Sequence, residues 1–275
     1  MAAPTGVRVH PLMTARMKAM PAFYERPPGR FGLIKGMGLH IPRARWFWVP
    51  IPAFLVEHPE HGPILVDSGL HERVATDVAG ALGRAAALAF TIDMRPEWAV
   101  PHQLRARGVD PADVRLIVMT HLHYDHASGL AAFPHATVAV DDREHAAATG
   151  GGMKDGYLRR LLDPVGDWRL LPAGQDEIDL LGDGTIRLLS TPGHTAGHRS
   201  VVLRLAGGGE LLLCGDAAYA RQTIDRGLLA LLTWDDDAYR ASLARVQAWV
   251  AEHPGAPVIP GHDAATWATL AEVYA

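Results

Sequence analysis

The chain is 275 residues long, room at roughly 150 residues per domain for one or two domains, and its 48% hydrophobic and 20% charged residues are ordinary for a soluble globular protein. A formal net charge of −4 and a pI of about 6.4 argue against a nucleic-acid binder, which carries a basic stripe. The single cysteine, Cys214, excludes an internal disulfide framework and a Cys-rich zinc ribbon.

No run approaches the ~20 apolar residues of a membrane span, and Met1 to Gly6 lacks the charged-then-apolar pattern of a signal peptide. A cytoplasmic protein with no membrane or nucleic-acid partner is expected. Val7 and Val9 alternate with Arg8 and His10 as in a short strand. Met13, Met17, Met20, Phe23, Tyr24, Phe31, Met37, Trp46, Phe47 and Trp48 then crowd flexible and aromatic side chains ahead of the first firm strand. They suit either a core with a subunit interface, which leaves room for a homodimer, or the wall of an acyl-chain pocket. Phe47 to Val56 is extended, and its prolines predict an edge strand or a strand start.

Ile64 to Asp67 is a short apolar strand ending in a carboxylate. Val74, Val78, Leu82, Ala85 and Ala89 recur at helical spacing. A helix over Gln103 to Arg107 ends at Gly108, and Val114 to Thr120 reads as a buried strand. Helical pattern returns at Arg143 to Ala148 and breaks at Gly150-Gly151-Gly152. Ile186 to Thr191 and Leu211 to Asp216 echo the earlier strands, weak support for an internal duplication. Gly207-Gly208-Gly209 reads as a hairpin turn. Asp235 to His253 is the best helix, with an acidic start that suits the helix dipole. Val258 to Pro260 is a last strand. No boundary for a second domain stands out, so residues 1–275 are expected to form one unit of two packed sheets with helices outside.

The 15 histidines are clustered. The strongest feature is His121-Leu122-His123-Tyr124-Asp125-His126, directly after a strand. In extended chain His121 and His123 point the same way and can face one metal. Asp125 and His126 are adjacent, so the chain must turn there. Four potential ligands in six residues exceed what one tetrahedral zinc needs from a single loop and suggest two metals. Three more ligand-type residues follow strands: His194 in Thr191-Pro192-Gly193-His194, Asp216 after Gly215, and His262 after Pro260-Gly261. His121, His123 and His194 make one three-nitrogen set. Asp125, His126 and His262 make a second, and the two oxygens of Asp216 can bridge both. His198 fits a hydrogen-bonding loop role. His40, His58, His61, His71, His102, His135, His145 and His253 lack partners at ligand spacing and read as surface or loop residues. Cys214 reads as buried packing.

The ordered set His121-x-His123-x-Asp125-His126, His194, Asp216, His262 resembles the metallo-β-lactamase superfamily. The resemblance covers nearly the whole chain. It implies an α/β fold of four αββα layers, two mixed sheets with helices on the outer faces. It also implies two divalent metal ions, usually zinc, and a supporting role for Asp67 in orienting metal-binding imidazoles. Gly215-Asp216-Ala217-Ala218-Tyr219 is similar to the corresponding segment of N-acyl homoserine lactonases, quorum-quenching enzymes. That similarity implies a small-molecule acyl lactone substrate, with Tyr219 contacting its carbonyl and Asp125 relaying a proton to the ring oxygen. Metal-dependent hydrolysis of another lactone, an aryl ester, a thioester or a phosphotriester is the alternative.

Overall fold

The computed structural model describes residues 6–37, 41–152 and 155–275. Residues 1–5 of the N-terminal stretch and His40 lie outside the described residues. Two long antiparallel strands, β1 (Arg8–Ala19) and β2 (Phe47–His58), flank the short helix α1 (Gly32–Gly36). There follow β3 (Gly62–Val66), helices α2 (Val78–Leu82) and α3 (Arg84–Ala89), β4 (Ile92–Asp93) and α4 (Val100–Ala106). Next come β5 (Leu116–Val118), α5 (Tyr124–Ala127), β6 (Thr137–Asp141), α6 (Asp142–Gly150) and β7 (Asp167–Leu171). The second half holds β8 (Glu177–Asp179), β9 (Ile186–Ser190), β10 (Arg199–Arg204) and β11 (Glu210–Gly215). It closes with α7 (Arg221–Arg226), α8 (Asp236–Glu252), β12 (Val258–Pro260) and α9 (Ala264–Trp267).

The strands form two mixed sheets, ordered β4-β1-β2-β3-β5-β6-β7 and β12-β11-β10-β9-β8. Strand alternation explains how they layer. In the first sheet Phe54, Val56, Ile64 and Val66 pack with Val201, Leu203, Leu211 and Leu213 of the second, so the central core lies between the sheets. Their neighbours Leu55 and Leu65 face the other way, into a core with Val100, Leu104 and Ala148 of α4 and α6. Val202 and Leu212 of the second sheet likewise turn outward, to Leu243, Val246 and Trp249 of α8. This is the expected αββα sandwich. Helix α8 begins where the acidic run predicts, with the Asp235 side chain accepting from the Ala238 N–H.

Several local expectations are corrected. β2 is an inner strand between β1 and β3, not an edge. Its Pro52 pairs with Met13 beside a bulge at Thr14, where the regular ladder is interrupted and a missing N–H is tolerated. Met13 and Met17 lie within β1, so the Met-rich run does not precede the sheet. The helical pattern from Val74 to Ala89 is broken into a 3-10 turn and two short helices. Gly83 at φ 97° cannot continue a right-handed helix. Only Leu116–Val118 of the strand expected over Val114 to Thr120 joins the sheet. Asp67 takes the Thr120 N–H instead. His58 is a buried residue, not a surface one. Its Nδ1 accepts from the Glu60 and His61 N–H groups, and its Nε2 faces Asp183 and Thr185 at 3.0 Å. It clusters with His61 and Asp183, but both ring nitrogens are engaged, so it offers a cation no free lone pair.

Candidate metal centre

Five strand ends converge on one place. β3 runs parallel to β5, which sets Asp67 beside the loop that opens at His121; the Asp67 N–H donates to the Val118 carbonyl at 2.9 Å. β11 runs parallel to β12 in the other sheet, which sets Asp216 beside His262. The loop after β9 carries His194. After His123 the chain turns into α5, which presents Asp125 and His126. Two sheets thus aim their C-terminal strand ends at one seam, the position where open α/β sheets hold ligands.

The structure brings the seven residues together in overlapping groups. His121, His123 and His194 lie in one group; Asp125, His126 and His262 lie in another; Asp216 groups with His121 and His126. The Asp216 oxygens are divided between them. Oδ2 is 3.2 Å from His194 Nε2 and 3.7 Å from His121 Nε2. Oδ1 is 3.2 Å from His262 Nε2 and 3.6 Å from His126 Nε2. Asp125 Oδ2 is 3.6 Å from His262 Nε2.

This donor set fits divalent cations. Among the described residues, His121 Nε2, His126 Nε2 and Asp216 Oδ1 are buried with no hydrogen-bond partner, a cost that a cation would remove. His194 Nε2 and His123 Nδ1 face each other at 2.9 Å, an arrangement that needs a cation or a proton between two ring nitrogens. Burial holds the His121 and His123 imidazoles well below their ordinary pKa, so both are neutral and carry free lone pairs. Burial opposes the charge on Asp216, but His262, His194 and His126 around it keep the carboxyl well below the usual range. In His126, burial is outweighed by Asp67, Asp216 and Asp125, which push the imidazole up to about 10. A cation at that nitrogen would take the place of a proton.

The supporting shell fixes which nitrogen faces inward. His126 Nδ1 donates to Asp67 Oδ2 at 2.7 Å, and His262 Nδ1 donates to the Pro50 carbonyl at 2.8 Å, so in both rings Nε2 points at the site. Asp67 also accepts the Thr120 N–H and hydroxyl, each at 2.8 Å, from a left-handed backbone at φ 56°. His198 has the hydrogen-bonding role expected of it. Its Nδ1 donates to Thr191 Oγ1, and its Nε2 accepts the Asp216 N–H, both at 2.9 Å. Cys214 is fully buried, and burial pushes its thiol up to about 12.

Tyr219 is buried with its hydroxyl 3.2 Å from His194 Nδ1 and its ring stacked on Phe23 at 4.4 Å. With His194 Nε2 turned to the site, the proton sits on Nδ1, where the phenol oxygen at 3.2 Å and the Leu232 carbonyl at 3.4 Å can accept it. The phenol O–H is then free to donate elsewhere. Tyr219 and five of the candidate ligands, His123, Asp125, His194, Asp216 and His262, border a cavity of about 980 Å³, whose other walls include Met17, Met20, Phe23, Met37, Trp46 and Trp234. The N-terminal run is therefore divided: part of it lines this cavity, while Phe31 is exposed and Tyr24 donates its hydroxyl to the His262 carbonyl.

Sequence reasoning missed Glu144. This fully buried carboxylate at the start of α6 accepts the Leu122 N–H at 3.0 Å, the Tyr157 hydroxyl at 2.9 Å and the Gly197 N–H at 3.0 Å. Nearby, Asp141 caps α6 and pairs with buried Arg199 at 2.7 Å. The available signal was a run of polar residues, Asp141 to His145, directly after a buried strand.

Comparison with known proteins decides the family. Residues 46–264 match the family model described as the metallo-beta-lactamase superfamily. The chain belongs to that superfamily. Among curated relatives, the N-acyl homoserine lactonase AttM of Azorhizobium caulinodans is 37% identical over 236 residues, 80% of this chain and 84% of the relative. The N-acyl homoserine lactonase AiiA of Bacillus thuringiensis subsp. kurstaki is 28% identical over 177 residues, 64% of this chain and 67% of the relative. Among solved structures, an N-acyl homoserine lactone hydrolase with N-hexanoyl-L-homoserine at its catalytic metal centre has a TM-score of 0.79 at 23% identity, covering 97% of both chains. AidC, a dizinc quorum-quenching lactonase, has a TM-score of 0.68 at 15% identity, covering 95% of this chain and 89% of the other. At those identities the structural likeness concerns the fold. A metallo-beta-lactamase fold with this donor cluster carries a divalent metal site.

Proposed function

We propose that this metallo-beta-lactamase-superfamily chain is a metal-dependent N-acyl homoserine lactonase, opening the lactone ring to give the N-acyl homoserine. The observation that carries the reading is the position of the donor cluster at the wall of a large cavity lined by Met and aromatic side chains. Polar chemistry at one end and an apolar enclosure beyond it suit a lactone head with an acyl tail. The curated AttM and AiiA relatives bear the same activity in their names. In this reading His121, His123, Asp125, His126, His194, Asp216 and His262 hold two zinc ions. Residues 1–275 act as one unit, with the segment of about 1–50 contributing to the pocket.

Bound there, divalent cations polarise the ester carbonyl and make water a competent nucleophile near neutral pH. The chain's own groups do the rest. The Tyr219 O–H, left free by the His194 tautomer, donates to the carbonyl oxygen and supports the charge that grows on it. Asp125, on the cavity wall, takes the proton that the attacking water gives up and passes it to the ring oxygen as the C–O bond breaks. The products are an acid, which ionises at neutral pH, and an alcohol on one molecule, which accounts for the water added. Met17, Met20, Phe23 and Trp46 hold the acyl chain, and unbranched Met adapts to tails of different length.

The test is a turnover panel with zinc-loaded protein: several N-acyl homoserine lactones, an aryl ester, a glutathione thioester and a phosphotriester. The highest kcat/KM is expected on acyl lactones, lost with chelator and regained with zinc. A higher value on the thioester or the phosphotriester would overturn the substrate assignment.

A further inference from the structure

We infer that Glu144 is a positioning residue for the three-histidine half of the metal centre, clamping the loop that carries His121 and His123 to the loop that carries His194. The inference rests on the metal-site reading above. The two loops belong to different sheets, following β5 and β9. Glu144 Oε1 accepts the N–H of Leu122, the residue between the first two ligands, at 3.0 Å. Oε2 accepts the N–H of Gly197, between His194 and His198, at 3.0 Å. One rigid side chain thus spans the seam across which His121, His123 and His194 must meet.

The packing leaves the clamp no slack. A Cβ on Gly197 would lie 2.4 Å from the Glu144 nitrogen and 2.7 Å from its Cβ, so that loop sits directly against the start of α6. The start of α6 is itself anchored to the second sheet, because Asp141 at its N-cap pairs with buried Arg199 of β10. The groups aimed at the carboxylate are donors: two backbone N–H groups and the hydroxyls of Tyr157 and Thr195. A phenol can rotate to accept, but a backbone N–H cannot. A Glu144→Gln side chain keeps the shape yet must turn its NH₂ toward Leu122 or toward Gly197, releasing one loop whichever way it sits. The other half of the site has its own support in Asp67 and Pro50, and nothing in that support passes through Glu144.

The experiment is a zinc competition titration, which needs no substrate and so separates this inference from the lactonase assignment. Wild type is expected to bind two zinc ions. Glu144→Gln is expected to lower the affinity for one of them about 10–100-fold, the usual effect of removing a hydrogen-bonding partner behind metal ligands, with the other unchanged. In an Asp67→Asn background, which loosens the His126 half, the Glu144→Gln loss should appear at the second ion, so that both are weakened. Tyr157→Phe leaves both loop hydrogen bonds in place and should keep both affinities. A Glu144→Gln protein with a lowered Tm but unchanged zinc affinities has lost only general stability, and that result overturns the inference. So does a Tyr157→Phe protein with selective loss of one zinc, a result readable even where Glu144→Gln fails to fold. Wild type that binds no zinc would sink the metal reading beneath it.

Discussion

Replacing Asp67 with Asn isolates one hydrogen bond behind the metal site. Asn tolerates the left-handed backbone at φ 56°, so the substitution leaves the turn unstrained. Its amide oxygen still accepts the Thr120 N–H, held now at 2.8 Å. The amide NH₂ takes the place of Oδ2, which accepts from His126 Nδ1 at 2.7 Å. Two donors then face each other. The Thr120 hydroxyl can turn away, and a flipped amide would set its NH₂ against the Thr120 N–H, which cannot turn, so the imidazole answers by moving its proton to Nε2. That nitrogen is the buried, partnerless one that faces Asp216. A proton there blocks the lone pair a metal needs. The expected cost is a loss of about 10–100-fold in affinity for one zinc ion, or ~1.4–2.8 kcal/mol. Competition against a chromogenic chelator would measure it, with circular dichroism to show that the fold is intact. Two zinc ions held as tightly as in wild type would refute the tautomer argument.

Asp216→Asn should weaken both zinc ions together, because each Asp216 oxygen serves a different histidine set; one ion held at wild-type affinity would deny the bridge. Tyr219→Phe should keep its zinc and lose roughly 10²-fold or less in kcat on an acyl lactone, with a smaller loss on an aryl ester. Equal losses on both substrates with a lowered Tm would return Tyr219 to a packing role. Burial raises the native Cys214 thiol to about 12, so the thiolate is scarce until pH climbs that far. Iodoacetamide at mildly alkaline pH should therefore leave the native protein unmodified and label it once unfolded. Rapid labelling of the native protein, measured by mass spectrometry, would show the strand to be open.

The donor cluster was legible because its signals are local. Each of its residues lies on the stretch of chain that follows an apolar strand, and a strand's end says roughly where the next residues will stand. Two residues apart in extended chain was enough to pair His121 with His123, and adjacency was enough to demand the turn that α5 supplies. The inner position of β2 was not legible, because the bulge that admits Pro52 belongs to β1 and depends on their register. The buried His58 escaped for a related reason: its Asp183 and Thr185 partners arrive from a loop 125 or more residues away. The Met-rich run was ambiguous because Met suits a core, an interface and a pocket alike. The convergence of β1 with the loops near Tyr157 and Trp234 is what places Met17, Met20 and Met37 on the cavity wall.

Glu144 and Asp67 show why one supporting carboxylate was visible in the sequence and the other was not. Asp67 ends a strand that lies parallel to the ligand-bearing strand, so the pattern that reveals the ligands reveals it too. Glu144 sits on a helix whose polar start looks solvated, and its burial depends on Gly197, more than fifty residues later, allowing the backbones to touch. The two carboxylates serve opposite halves of the site. Asp67 sets the tautomer of His126, while Glu144 sets the spacing of the loops that hold the three-histidine set. Asp216 alone belongs to both halves. It follows that the halves can be weakened separately from behind, whereas loss of the bridge weakens them together. Which zinc weakens in Asp67→Asn and in Glu144→Gln is therefore decided by hydrogen bonds that touch no metal and no substrate, whereas Asp216→Asn acts on the donor set itself.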